Sequence, residues 1–234
     1  MKEIQRNLLE YLKEDVQTPY DSVAVFYDWL HRRDSLLARF YYEAIWGFTI
    51  DEYLSNLKDW LPQNKNQIIL DIPVGTGILV AEAYAKMTDT TFMAADCSKK
   101  MLLHAEKNFR VHEVKDVTYI RAHSSDLPFD DSSIDCILCM SGVDVFGDRE
   151  GTMEEFYRVL RPGGSLIISL YTKGERIITD LWVMLFAAPF NFMHSPFYTK
   201  EEVPALLAGK YVGRIKLEAS VQLKSKLYFK FLKL

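Results

Sequence analysis

The rhythm of apolar and polar positions changes twice along the chain. Up to about Leu61 it is helical: Leu8, Leu9, Tyr11 and Leu12 form one stripe and Val25, Trp29 and Leu30 another, because side chains three or four apart share a helix face. Pro62 closes this region. Short apolar runs and helical stretches then alternate. The runs predict strands at Ile68–Asp71, Thr91–Asp96, Val117–Arg121, Ile134–Met140 and Ser165–Leu170. The stretches between them predict helices at Ile78–Met87, Ser98–Val111 and Gly151–Leu160, with Ser98 as an N-cap before Met101 and Leu102. This βα order argues for a parallel sheet with helices on both faces. The last segment turns to period two. Ile215, Leu217, Ala219 and Val221 alternate with polar neighbours, and Leu227, Phe229 and Phe231 repeat the pattern, which predicts an antiparallel pair at the end of the sheet. Residues 1–62 thus read as an N-terminal helical cap. Residues 63–234 read as an α/β domain with an apolar insert at about 172–199. No internal repeat or low-complexity segment interrupts this order.

Composition narrows the class. A chain of 234 residues, 49% apolar and 26% charged, suits one large α/β domain with ample core. A net charge of −4 and a pI of about 5.8 give no footprint for a nucleic-acid partner. The 14 Phe, 13 Tyr and 4 Trp serve core packing in the plainer reading and an apolar substrate pocket in the other. Of three cysteines, Cys136 and Cys139 form a CxxC inside a predicted strand. Their side chains would point to opposite faces, a poor arrangement for a metal or a redox pair. Reduced, buried thiols fit a cytoplasmic compartment, and the charged N-terminus MKEIQRNLLEYLKED lacks a signal-peptide core. Leu181–Met193, with Pro189 and Asn191 inside it, falls short of the roughly 20 apolar residues of a membrane span.

The chemistry gathers at IILDIPVGTG, residues 68–77. An apolar run ends in Asp71 and passes through a turn with Gly75 and Gly77 into a helical pattern, which brings backbone N–H groups close to a nucleotide-like ligand. The glycine pair alone is a weak signal, since Val80 stands where a dinucleotide site carries its third glycine. Asp96 adds weight: it ends the next strand 19 positions after Gly77, the register of an acid that binds a ribose diol. The plainer role for Asp96 is a helix cap before Ser98.

Four ordered segments carry a family resemblance: IILDIPVGTG, AADCSKKMLLHAEKN, DLPFDDSSIDCILC and YRVLRPGGSLIIS. Over about residues 65–172 the chain resembles class I S-adenosylmethionine-dependent methyltransferases of the ubiquinone/menaquinone C-methyltransferase branch. VFYDWL and FYTKEEVPALL extend the likeness loosely to both ends. The resemblance implies a Rossmann-like, mostly parallel seven-stranded sheet with an antiparallel last strand, and S-adenosyl-L-methionine as methyl donor with no metal. Asp71 and the Pro73–Gly77 turn, with Gly75, would hold the methionine end. Asp96 would hold the ribose, Cys97 and Met101 would lie against the adenine, and Ser124 and Ser125 would lie near its edge. Met140 would line the cleft, and Tyr27 would close over the cofactor. Two residues depart from the pattern. Pro73 replaces the usual first glycine and lacks an N–H. His123 stands where an aspartate often receives the adenine amino group, which a neutral ring nitrogen accepts in one tautomer only. Alternatively, His123 points away, and Ser124 or Asp126 takes that place.

Methyl transfer needs a base only where the acceptor must lose a proton. Asp144, His194 and Tyr198 are the candidates near the expected mouth, beside plainer roles as a solvated loop acid for Asp144 and a packing or capping residue for His194. Trp182, Phe186, Phe190, Phe192 and Phe197 of the insert, with residues 20–50, predict a closed apolar cavity for a lipid-like, quinone-like or aromatic small molecule. A helix packed on the sheet, or the surface of a homodimer, is the other use of these side chains. A methyltransferase-like binding or partner subunit without catalysis, and a nicotinamide-dependent oxidoreductase, are the competing functions.

Overall fold

The computed structural model describes residues 24–31, 35–203, 209–211 and 213–234, so the stripe at Leu8–Leu12 lies outside the described residues. Seven strands form one sheet: β1 (Gln67–Asp71), β2 (Thr90–Asp96), β3 (Val117–Arg121), β4 (Ile134–Met140), β5 (Leu160–Tyr171), β6 (Ile215–Leu223) and β7 (Lys226–Lys233). Their order is β3-β2-β1-β4-β5-β7-β6. Pairing is parallel from β3 across to β5, and β7 runs antiparallel to both β5 and β6.

The helices before the sheet are α1 (Ala24–His31), α2 (Leu36–Phe40) and α3 (Ile50–Trp60), with a wide π-type turn at Tyr41–Trp46 continuing α2. A capping box fixes the start of α3: Thr49 Oγ1 accepts from Glu52 N at 3.1 Å while the Glu52 carboxylate accepts from Thr49 N at 2.7 Å. Within the sheet region lie α4 (Ala81–Tyr84), α5 (Lys99–Val111), α6 (Arg149–Val159) and α7 (Ile177–Trp182), the last widening into a π-type turn at Val183–Ala187. Ser98 caps α5 as predicted, accepting from Met101 N at 3.1 Å.

Two elements differ most from the sequence pattern. The helix expected from Ile78 begins at Ala81, because Gly77 sits at φ +66° and the chain first makes tight turns, Gly77 N to Val74 O and Val80 N to Gly77 O. β5 begins five residues early, at Leu160. It runs through Pro162-Gly163-Gly164, and its register against β4 shifts between Ile134 and Cys136.

Alternation along the strands divides the core between the two faces. Ile69, Phe92, Cys136, Leu138 and Ile167 pack with α3 and the aromatic residues before it. Leu70, Ile137, Cys139, Ile168 and Phe156 form the opposite layer. The two cysteines therefore lie on opposite faces as free thiols. Burial pushes the Cys136 thiol up to about 12 and raises Cys139 as well.

Candidate active site

β1 and β2 are parallel neighbours whose last residues are Asp71 and Asp96, so both carboxylates emerge at the same sheet edge beside the glycine turn. Each Asp96 oxygen takes one backbone N–H: Oδ2 accepts from Gly75 N and Oδ1 from Ser98 N, both at 2.9 Å. These two amides fix the carboxylate at the strand end, the register at which an acid receives a ribose diol. Asp71 is buried and accepts from the Tyr84 hydroxyl at 2.8 Å. Burial pushes its carboxyl up to about 7, opposed by the Tyr84 bond and assisted by the nearby Asp96 charge.

The turn is held from below and open on top. A Cβ on Gly77 would meet the Phe109 ring at 2.5 Å, whereas one on Gly75, at φ +55°, would meet nothing within 4 Å. The Ile72–Pro73 bond is cis. The Thr76 hydroxyl is buried and has no hydrogen-bond partner among the described residues. Cys97 is half-buried, with its carbonyl accepting from Arg121 Nε at 3.0 Å, and Met101 is buried in the first turn of α5. Met140 ends β4 half-buried. Ser124 and Ser125 are half-buried after β3. Ser124 Oγ lies 2.7 Å from Thr152 Oγ1 on α6. His123 is exposed and bridges through its backbone to Asp126.

α1 lies across this edge. Asp28 accepts from Asn108 Nδ2 at 3.2 Å and sits 2.7 Å from His104 Nδ1, both on α5. Asn108 also donates to Thr76 O at 2.9 Å, linking α1 to the glycine turn. Tyr27 stacks on His31 at 3.7 Å. Burial raises the Tyr27 hydroxyl, with Tyr53, Tyr41 and the Asp96 carboxylate adding to the shift.

On the acceptor side, Asp144 is buried rather than solvated. Its carboxylate accepts from Tyr171 N at 3.0 Å and pairs with Lys226 Nζ at 2.9 Å. Lys226 also donates to Ser141 Oγ at 2.8 Å and lies 4.8 Å from the Trp46 ring. The Tyr53 hydroxyl is 3.2 Å from both Ser141 Oγ and Ser169 Oγ. His194 donates its backbone N–H to Asp144 O, and its carbonyl accepts from the Arg149 guanidinium. The Tyr198 ring lies under that guanidinium at 5.7 Å. Where a cavity was expected, the cap and the insert meet ring on ring. Tyr41 and Trp46 lie 5.5 and 5.7 Å from Trp182, and Tyr171 lies 5.7 Å from Phe197. A cavity of about 240 Å³ lies elsewhere, between Val143, Phe146, Thr152, Met153 and Tyr211. Among the described residues no group of three His, Cys, Asp or Glu is placed to hold a metal ion. None of their helices is long and apolar enough to cross a membrane.

Residues 69–164 match the model of a methyltransferase domain. The ubiquinone/menaquinone biosynthesis C-methyltransferase UbiE of Enterobacter sp. (strain 638) is 33% identical over 157 residues, 66% of this chain and 58% of that protein. The same enzyme of Klebsiella pneumoniae (strain 342) is 32% identical over 168 residues, 70% and 62% of the two chains. The chain thus spans about three fifths of the length of these relatives. Among solved structures, a protein in complex with the Haloferax volcanii Trm112 methyltransferase activator superposes with a TM-score of 0.69 at 15% identity, covering 94% of this chain and 99% of that one. An S-adenosylmethionine-dependent methyltransferase from Aquifex aeolicus gives 0.60 at 17%, covering 83% and 93%. The chain thus carries a methyltransferase domain at residues 69–164 and has the fold of the solved S-adenosylmethionine-dependent methyltransferases.

This strand edge suits a nucleoside ligand on its own geometry. It presents an open glycine at the turn, an orphaned buried hydroxyl on Thr76 and a carboxylate held in place at each of two adjacent strand ends. Several contributors were missed in the sequence. Tyr84 clamps Asp71 from 13 positions on, and a helix pattern alone does not say which of its residues turns inward. Lys226 did leave a signal, since it falls on the same strand parity as buried Tyr228. Asp28, His31 and Asn108 left none, because each acts across 32 or more positions or from an aromatic-rich helix.

Proposed function

We propose that this methyltransferase moves the methyl group of S-adenosyl-L-methionine to a small, apolar or aromatic acceptor of the quinone-like kind. One observation carries the donor assignment: the Gly75 amide and the Asp96 carboxylate are bonded to each other at the strand edge, beside an open turn. In this reading Asp96 accepts from the ribose hydroxyls and Tyr27 covers them. Asp71 and the Thr76 hydroxyl face the methionine end, and Met101 packs the adenine. The bound donor supplies the reactive methyl group; the protein positions the acceptor and keeps water away.

The acceptor class rests on the surroundings. The cap meets the insert through tyrosine and tryptophan rings. The insert exposes Ile177, Ile178, Leu181, Met184, Leu185, Phe186 and Phe190, and its one ionisable side chain on α7, Asp180, is turned inward to the Tyr171 hydroxyl. The UbiE relatives carry ubiquinone and menaquinone biosynthesis in their names, which agrees with such an acceptor.

Calorimetry with S-adenosylmethionine and NADH tests the donor. The expected result is a saturable one-to-one isotherm for the sulfonium compound and none for NADH; the reverse pattern would overturn the proposal. A labelled-methyl assay over quinols, phenols and amines then tests the acceptor class, with transfer only to amines counting against it.

A further inference from the structure

We infer that His31 meets the methyl acceptor: its Nε2 accepts the hydrogen bond, and then the proton, of a hydroxyl group on a flat aromatic acceptor held beneath the cap. This rests on the methyl-transfer reading above and specifies its substrate class. Three observations lead to it.

The first is position. Tyr27, stacked on His31, feels the Asp96 carboxylate at the end of β2. Tyr42, 5.6 Å from His31, lies 6.2 Å from Tyr53, whose hydroxyl reaches Ser141 just past β4. β1 lies between β2 and β4, so the row of rings from Tyr27 through His31 and Tyr42 to Tyr53 runs from the β2 side of β1 toward its β4 side. The second is the tautomer. Nδ1 lies 2.7 Å from Tyr27 O, and a carbonyl only accepts, so Nδ1 carries the hydrogen and Nε2 the lone pair. The third is the surroundings. The ring is buried against Tyr27, Tyr41 and Tyr42, and no hydrogen bond at Nε2 is recorded among the described residues. Asp28 is the carboxylate nearest on its own helix, and it is engaged with α5. Burial lowers the His31 pKa to about 4, against the pull of Tyr27 O and Asp28, so the ring enters the reaction neutral. A nitrogen acceptor beside flat aromatic faces suits a flat aromatic compound that carries a hydroxyl donor.

In the transfer, the hydroxyl O–H bond breaks and its proton goes to Nε2. The methyl group bonds to that oxygen, or to a ring carbon conjugated with it, while the C–S bond breaks and leaves its electron pair on sulfur. In the oxygen case the imidazolium returns its proton to water. In the carbon case the ring regains aromaticity when that carbon's proton leaves to water and the oxygen takes back the proton held on Nε2.

The test uses full-length protein saturated with S-adenosylhomocysteine and two probes, 2-naphthol and 2-methoxynaphthalene, which lacks the donor. Wild type should bind 2-naphthol about tenfold more tightly than the ether, as one buried hydrogen bond gives. His31→Asn retains an amide donor for Tyr27 O but loses Nε2. It should bind both probes alike, with S-adenosylhomocysteine affinity unchanged. A nitrogen-15 spectrum of the wild-type imidazole, independent of any variant, should show the neutral Nδ1–H tautomer at pH 7 and an Nε2 resonance that moves on adding 2-naphthol. Equal binding of the probes by wild type, a preference that survives His31→Asn, or the opposite tautomer would overturn the inference. Failure of wild type to bind S-adenosylhomocysteine would instead remove the methyltransferase reading, and the inference with it.

Discussion

Asp71 is a carboxyl group whose charge the fold resists. With its pKa pushed up from 3.8 to about 7, its contribution to stability is complete below about pH 4 and is lost as pH rises through 7. Wild type should therefore lose about 2–4 kcal/mol relative to Asp71→Asn between pH 4 and pH 8, measured by urea unfolding. The same residue is proposed to face the ammonium of the methionine end, which would favour the ionised form. Binding of S-adenosylmethionine near pH 6.5 should then release a proton. Calorimetry in buffers of different ionisation enthalpy would show it as a buffer-dependent heat that disappears in Asp71→Asn. A heat independent of buffer would rule the contact out. Asp71 and Asp96 were legible in the sequence because each closes an apolar run and enters a turn. The pKa of Asp71 was not, since it depends on how deeply the Tyr84 side of α4 covers it.

The glycine turn is the element that separates support from access. Gly77 has the Phe109 ring under it and a left-handed backbone, so Gly77→Ala should cost about 2 kcal/mol or more in thermal or urea unfolding. Gly75 shares the left-handed backbone but faces open space. Gly75→Ala should cost about 1 kcal/mol of stability while weakening S-adenosylmethionine binding by far more than that strain accounts for. Two alanines two residues apart would thus report on different sides of one turn. The turn was readable as Gly-X-Gly. The three-residue delay of α4 was not, because the pattern Ile78, Leu79, Ala81 fits either a helix or a buried turn.

Across the whole molecule, a buried polar seam joins segments far apart in sequence. Lys226 from β7, Asp144 and Ser141 after β4, Ser169 from β5 and Tyr53 from α3 satisfy one another beneath the Trp46 ring. Ser225 and Tyr228 extend the seam to the backbone at Trp46 and Tyr53. Removing one charge leaves the other buried and unpaired, so Lys226→Met should destabilise by about 3–5 kcal/mol, and the Lys226→Met, Asp144→Leu pair by clearly less. Sequence reasoning placed Asp144 at the right strand end and assigned it a solvated loop or a catalytic role. Its partner comes from 82 positions later, and no local pattern announces a pairing across that distance. The parallel sheet with its antiparallel end was legible for the opposite reason, since each strand and helix announces itself locally, whereas the order in which the strands pair was not.

The antiparallel strand is also the one link between its two neighbours. β7 follows β6 in sequence yet lies between β6 and β5, so β6 joins the sheet only through β7. Without β7 the outer edge of β5, with Leu166, Ile168 and Leu170, would have no strand beside it. One strand thus holds two seams and carries Lys226 to Asp144.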